Sequence, residues 1–250
     1  MEVHQHTHTA RKKWTHYFWE FFMLFLAVTA GFFVENQREH FIEHKREKQF
    51  ILSICQDLKS DTVQLNHLIA LRNKNNTKID SLFYYMNMPD PDEYGKFIYY
   101  FARQLTNNFV FLSNDRTIQQ LKNSGNLRLI RNQEASDSIM GYDWYIRRNE
   151  IRIEREEALI KDYIEKMNRL FDGNEFNKML NKVSTSFSID WSLPKDNPRL
   201  LHKDQESIKS FINSLHFIKA INIFNIGLNE QTINRASKLL ILLKKEYHLP

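Results

Sequence analysis

The chain has 250 residues, 42% of them hydrophobic, and a formal net charge of +5 at pH 7. Only 6 Gly and 5 Pro are available for turns, which disfavours a sheet protein. Basic residues alternate with acids instead of forming the aromatic-lined stripe that nucleic-acid binding requires, and the single cysteine, Cys55, excludes an internal disulfide or a cysteine-built metal site.

No hairpin turn signal is flanked by alternating apolar residues, and the one Asp-Gly pair, Asp172-Gly173, closes a helix-like pattern. The expected fold class is therefore all-α: an N-terminal transmembrane helix continuing into a long stalk helix, then an antiparallel helical bundle. The expected divisions are a tail at 1–13, a membrane helix at 14–34, a juxtamembrane stalk at 35–88 and a bundle at 89–250.

In the tail, His4, His6 and His8 alternate in a polar segment, which reads as a disordered end with loose metal affinity at most. From Tyr17 to Val34 the only charge is Glu20, and a helix begun at Trp14 would be about 31 Å long at 1.5 Å per residue, enough to span a bilayer. Trp14, Tyr17 and Trp19 suit the headgroup region, and Arg11, Lys12 and Lys13 stand outside them as further interfacial anchors. Val28-Thr29-Ala30 has the small-residue pattern of a signal-peptide cleavage site, but the apolar run outlasts it through Phe32, Phe33 and Val34. A retained anchor is the better reading. The contiguous N-terminal basic residues, against the mixed charges after Val34, favour a cytoplasmic N-terminus and a periplasmic C-terminal domain.

Glu20, Ala27 and Gly31 fall on one helix face, and Ala27-x-x-x-Gly31 has the small-xxx-small spacing that lets two backbones approach closely in lipid. That face is the candidate surface for homo-oligomer formation. An ionisable residue in a span also raises ion or proton handling, although Glu20 stands one turn from His16 and can pair with it at i, i+4.

No Gly or Pro interrupts Phe32 to Met88. Ile51, Ile54, Leu58, Leu65, Leu68, Ile79, Leu82 and Met86 keep a seven-residue frame whose remaining slots hold Asp61, Arg72 and Asn75. Such a seam forms either a coiled coil between copies or one face of an internal bundle, and its polar slots favour the bundle. His40-Phe41-Ile42-Glu43-His44 matches the H-x-x-E-H zinc signature. His40, Glu43 and His44 lie in a repetitive charged tract, however, and no other segment visibly supplies a third ligand.

Beyond Pro89 and Pro91 a helix with Phe97, Phe101 and Leu105 on one face, reinforced by Ile98, is expected, followed by a short helix containing Ile118 and Leu121 that stops at Gly125. A long helix from Gln133 to Phe171 has Ile139, Tyr142, Ile146, Ile153, Leu159, Ile160, Tyr163, Met167 and Leu170 as packing positions and runs back along the stalk, ended by Gly173. Its charged stretch "IRIEREEALIKDYIEK" reads as a solvated face. A shorter helix near 175–183 leads into the irregular "STSFSIDWSLPKDNPRLLHKD", a packed connection anchored by Trp191. Two last helices are expected at 205–226 and 229–247.

Two segments, "WEFFMLFLAVTAGFFVENQREHFIEHKREKQFILSICQDLKSD" and "TIQQLKNSGNLRLIRNQE", together resemble an uncharacterised family of single-pass envelope proteins from Bacteroidota. The resemblance implies a bacterial inner-membrane location, a helical soluble region and no catalytic residue. With no phosphate loop, nucleophile elbow or CxxC pair in the chain, the expected protein is no enzyme and needs no cofactor. Its expected partners are membrane lipid, further copies of itself and another envelope protein. The rival expectation is an oligomeric ion- or proton-conducting or motor-coupled component that uses Glu20. With only residues 1–13 ahead of the span, a sensory receptor ranks lower.

Overall fold

The structure, a computed structural model, describes residues 14–180 and 191–250. Six α-helices follow in chain order among the described residues: α1 (Trp14–Met86), α2 (Gly95–Gln104), α3 (Arg116–Asn123), α4 (Gln133–Leu170), α5 (Gly173–Lys178) and α6 (Gln205–Glu246). Single 3-10 turns at Pro91–Tyr94 and Asn126–Leu129 precede α2 and follow α3. No strand occurs among the described residues, where the one extended pairing is an isolated bridge between Leu180 and Trp191. The chain is all-α, and it divides into two compact units, Met1–Phe50 and Ile51–Pro250, with α1 contributing to both.

In the second unit, the buried residues of α1 from Ile51 to Met86 are spaced alternately three and four apart, with Cys55 buried beside Ile54 in addition. This includes Asp61, Arg72 and Asn75, so the polar slots of the frame are buried like the apolar ones. After α2 the chain turns and runs in extended form back beside α1. Arg72 Nη2 donates to the Phe109 carbonyl at 2.6 Å, the Leu112 amide donates to Gln64 Oε1 at 2.9 Å, and the Asn114 amide donates to Asp61 Oδ1 at 2.8 Å. Side chains of α1 thereby satisfy backbone groups that lack a helix or sheet partner of their own.

That return carries the start of α4 back along α1, and the two helices then run parallel. Tyr142 pairs with Asp61, and Glu156 further on pairs with Arg72 further on. The expectation that α4 runs back along α1 is thus corrected: the extended connector makes the return journey. Helix α6 runs opposite to both, pairing Asn222 with Arg72, Asn225 with Glu156 and Thr232 with Asn149.

Several expected boundaries move. Helix α4 ends as Phe171 turns extended, and Asp172 then caps α5 by accepting from the Asn174 amide at 2.8 Å, so Gly173 opens a helix where it was expected to end one. The buried face of α2 is Ile98, Tyr99 and Ala102, continued by the capping residue Leu105, whereas Phe97 and Phe101 are half-buried and stack on Tyr85 at centroid distances of 5.0 and 6.2 Å. The two expected final helices are one, α6, which passes through Gly227 without a break. A single helix glycine costs only about 0.5–1 kcal/mol relative to Ala. The buried series Asn222, Asn225, Asn229, Thr232 and Ala236 gives the segment a continuous packed face that outweighs it.

One apolar end of the bundle joins Leu82 and Met86 of α1, Tyr99 of α2, Tyr163 and Met167 of α4, and Phe211 and Leu215 of α6. The irregular segment before α6 is tied onto it. Trp191 is buried with the Arg103 guanidinium 4.0 Å from its ring centroid, and Tyr99 donates to the Arg199 carbonyl at 2.9 Å. Gly95 is required here, because a Cβ at that position would lie 2.1 Å from the Pro198 carbonyl oxygen. The part of this segment at 184–190, and the end of the expected helix near 175–183, lie outside the described residues.

Candidate functional site

Two groups of residues stand out, one in each unit. In the first, α1 contains the one helix among the described residues that is long and apolar enough to cross a membrane, and its apolar window is exposed throughout. Glu20, Ala27 and Gly31 are all exposed on it, and nothing lies within 4 Å of where a Gly31 Cβ would stand. His16 Nε2 lies 3.0 Å from Glu20 Oε1, the i, i+4 pair expected from the spacing. Phe18 stacks on Phe22 at 6.2 Å and Phe21 on Phe25 at 6.4 Å, so the aromatic rings line up along the helix.

Of the expected interfacial anchors, Trp14, Tyr17 and Trp19 are 83, 56 and 58% exposed. Arg11, Lys12 and Lys13 lie outside the described residues, as do His4, His6 and His8. Further along, Arg38 Nε donates to Glu35 at 3.0 Å, and this hydrogen bond holds the Glu35 carboxyl below the usual carboxylate range. His40, Glu43 and His44 occupy one uninterrupted helical stretch, with His44 Nδ1 lying 3.3 Å from Glu47 Oε2. Among the described residues no three or more His, Cys, Asp or Glu side chains converge on a point where they could hold a metal ion.

The second group is a polar level inside the bundle. Arg72 forms a two-pronged pair with Glu156, at 2.9 and 2.7 Å, and donates as well to Asn222 Oδ1 at 2.9 Å. Asn225 Nδ2 donates to the same Glu156 carboxylate at 2.8 Å. Arg72 and Glu156 are almost completely buried, where an ion pair persists only if its remaining hydrogen-bonding capacity is also met. Three buried atoms at this level have no protein partner: Arg72 Nε, Asn75 Oδ1 and Asn225 Oδ1. Beside Arg72, Glu156 and Asn225 there is a cavity of about 20 Å³, the size of a single water.

A second polar contact stands three turns earlier on α1. Asp61 accepts from the Tyr142 hydroxyl at 2.7 Å and from the amide and side chain of Asn114, each at 2.8 Å. Burial, reinforced by the Asp61 charge, pushes the Tyr142 hydroxyl up, which keeps it a proton donor. Asp57 nearby accepts from Thr117 Oγ1 at 2.6 Å, and burial pushes its carboxyl up.

Sequence reasoning identified the α1 members of this level and missed its other half. Glu156 sits in the stretch read as a solvated face, yet it is buried. The steps from Ile139 through Tyr142, Ile146 and Ile153 to Ile160 reach position 156 at the same three-and-four spacing. On α6 that spacing from Phe211 passes through Asn222, Asn225, Asn229 and Thr232, and it could have located all four. No family model, no curated protein and no solved structure matches this chain.

Proposed function

We propose that this protein is a single-pass, membrane-anchored helical scaffold of a bacterial cell envelope, which self-associates through its membrane helix and presents a helical domain to a protein partner. It acts by binding rather than catalysis. Its N-terminus lies in the cytoplasm and its C-terminal domain in the periplasm, in keeping with the contiguous Arg11, Lys12 and Lys13 and with the resemblance to envelope proteins of Bacteroidota.

The observation that carries this reading is the complete exposure of the apolar window of α1. Burying a Phe or Leu side chain gains about 1.5–3 kcal/mol. Phe21, Leu24, Phe25, Leu26, Phe32 and Phe33 therefore outweigh the about 2.5–3.5 kcal/mol that one carboxylate at mid-bilayer costs. The His16 partner lowers the cost of Glu20 further, and Ala27 and Gly31 on the same face admit a second helix. The His16–Glu20 pair is also the observation behind the second reading, an oligomer that handles protons or other ions.

The test is biochemical. The full-length protein stays with membranes at alkaline pH and runs in mild detergent as an oligomer that Ala27→Ile dissociates. Release from membranes removes the anchor, and an unchanged oligomer in Ala27→Ile removes the packing face. Proton flux in proteoliposomes, lost in Glu20→Gln, is the outcome that replaces the scaffold by the second reading.

A further inference from the structure

On the outer surface where α4 meets α6, three arginines lie on aromatic rings. The Arg148 guanidinium is 4.7 Å from the Trp144 centroid and 5.7 Å from that of Tyr145, Arg235 is 5.4 Å from Tyr145, and Arg152 is 4.4 Å from Phe224. Among the described residues none of the three has a carboxylate within 4.0 Å. Arg147, one position away on α4, is different: it engages Asp115, Asp143 and Glu150. The ring-held arginines are thus charges without a carboxylate partner among the described residues.

The rings they cover are not buried either, with Trp144 55% and Phe224 43% exposed. Beyond Arg235 the same junction opens into a groove of about 650 Å³, with Leu239 and Leu242 on one wall and Gly141 on the other. At Gly141 a Cβ would meet nothing within 4 Å among the described residues, so this wall of the groove is open. Lys238 adds a further positive charge at the rim, while Glu134 and Asp137 line the far end.

We infer that this face binds an acidic segment of a partner protein, with carboxylates on Arg148, Arg152 and Arg235 and an apolar side chain in the groove over Gly141. A guanidinium resting on a ring keeps its N–H edge free for two-pronged carboxylate binding and loses little side-chain freedom when it binds. Exposed Trp, Tyr and Arg together are also the composition of interface hot spots. The charge argues for an acidic occupant, and the apolar wall argues for a peptide side chain rather than a simple anion. This inference rests on the scaffold reading and identifies the partner surface.

The test uses full-length protein in detergent and a fluorescein-labelled synthetic peptide of alternating glutamate and leucine pairs, with a lysine–leucine peptide as control. The acidic peptide raises its anisotropy on wild-type protein, and the triple change Arg148→Gln, Arg152→Gln, Arg235→Gln weakens binding at least tenfold. Gly141→Leu grows into the groove from a Cβ position with no neighbour within 4 Å, so it weakens peptide binding without lowering thermal stability. That split is one a merely structural role does not produce, and it holds even where the triple variant folds poorly.

Equal binding by wild type and both variants overturns the proposal. So does stronger retention on vesicles of anionic lipid than on the peptide, or a dimer of the wild type that the arginine changes dissociate, since lipid or a second copy is then the occupant. Membrane retention of the same variants is scored separately, so loss of peptide binding with intact anchoring counts against this face alone.

Discussion

Arg72 concentrates the energetics of the bundle in one side chain. It reaches across to Glu156 on α4, to Asn222 on α6 and to the carbonyl of Phe109 in the extended connector. Removing either charge leaves the other buried and alone, which costs about 3–5 kcal/mol, whereas replacing both by apolar residues of similar size is far less harmful. The expected outcome is that Arg72→Met and Glu156→Leu each lower the thermal midpoint substantially, while the double variant lies well above the sum of the two losses. A strictly additive result in thermal unfolding would deny the pair its role.

Asp57 offers a test through pH. Its carboxyl is raised above the ordinary carboxylate range, chiefly by burial, with the Thr117 hydroxyl opposing and Asp61 reinforcing the shift. A raised carboxyl binds its proton more tightly in the folded state, so its contribution to stability falls as pH rises from the ordinary carboxylate range through the folded value. Asp57→Asn, which keeps an oxygen for Thr117, is therefore more stable than wild type at pH 7 and indistinguishable from it at pH 3. Midpoints measured at the two pH values check the sign.

At the scale of elements, the two glycines of greatest contrast are Gly227 and Gly95. Gly227 lies within α6 with open space where a Cβ would go, so Gly227→Ala stabilises by about 0.5–1 kcal/mol. Gly95 faces the Pro198 carbonyl at a distance no Cβ tolerates, so Gly95→Ala loosens the junction between α2 and the segment before α6. Thermal unfolding of the two variants should shift in opposite directions.

The elements themselves were largely legible in the sequence, because apolar spacing and the scarcity of Gly and Pro specify long helices. The start of α4 at Gln133 and the burial of every slot from Ile51 to Met86 follow from that pattern. What the pattern could not supply was direction and the identity of polar partners. Glu156 and the asparagines of α6 look solvated by composition, and only their spacing marks them as interior. Gly227 misled for a related reason, since a glycine ends a helix where packing does not continue and is tolerated where it does.

At the scale of the whole molecule, the two units differ in how they meet their surroundings. The bundle satisfies most of its interior polar groups internally, through Asp61, Arg72, Glu156 and their partners, while the apolar window of α1 is exposed. The sequence made the window plain because the run from Tyr17 to Val34 carries one carboxylate and matches the thickness of a bilayer core. The arginine face escaped notice for the opposite reason, since its members are contributed by two helices and no single window contains them.

The level of Arg72 also bears on mechanics. Helices that meet through leucines alone can slip past one another by a heptad and find an equivalent fit. Here a one-heptad slip of α6 would withdraw Asn222 and Asn225 from Arg72 and Glu156, setting Leu215 and Ile218 against the buried pair in one direction and replacing an asparagine by Thr232 in the other. The Arg72 level therefore favours one alignment of the three long helices, and sliding α6 along the other two requires breaking both asparagine pairings at once.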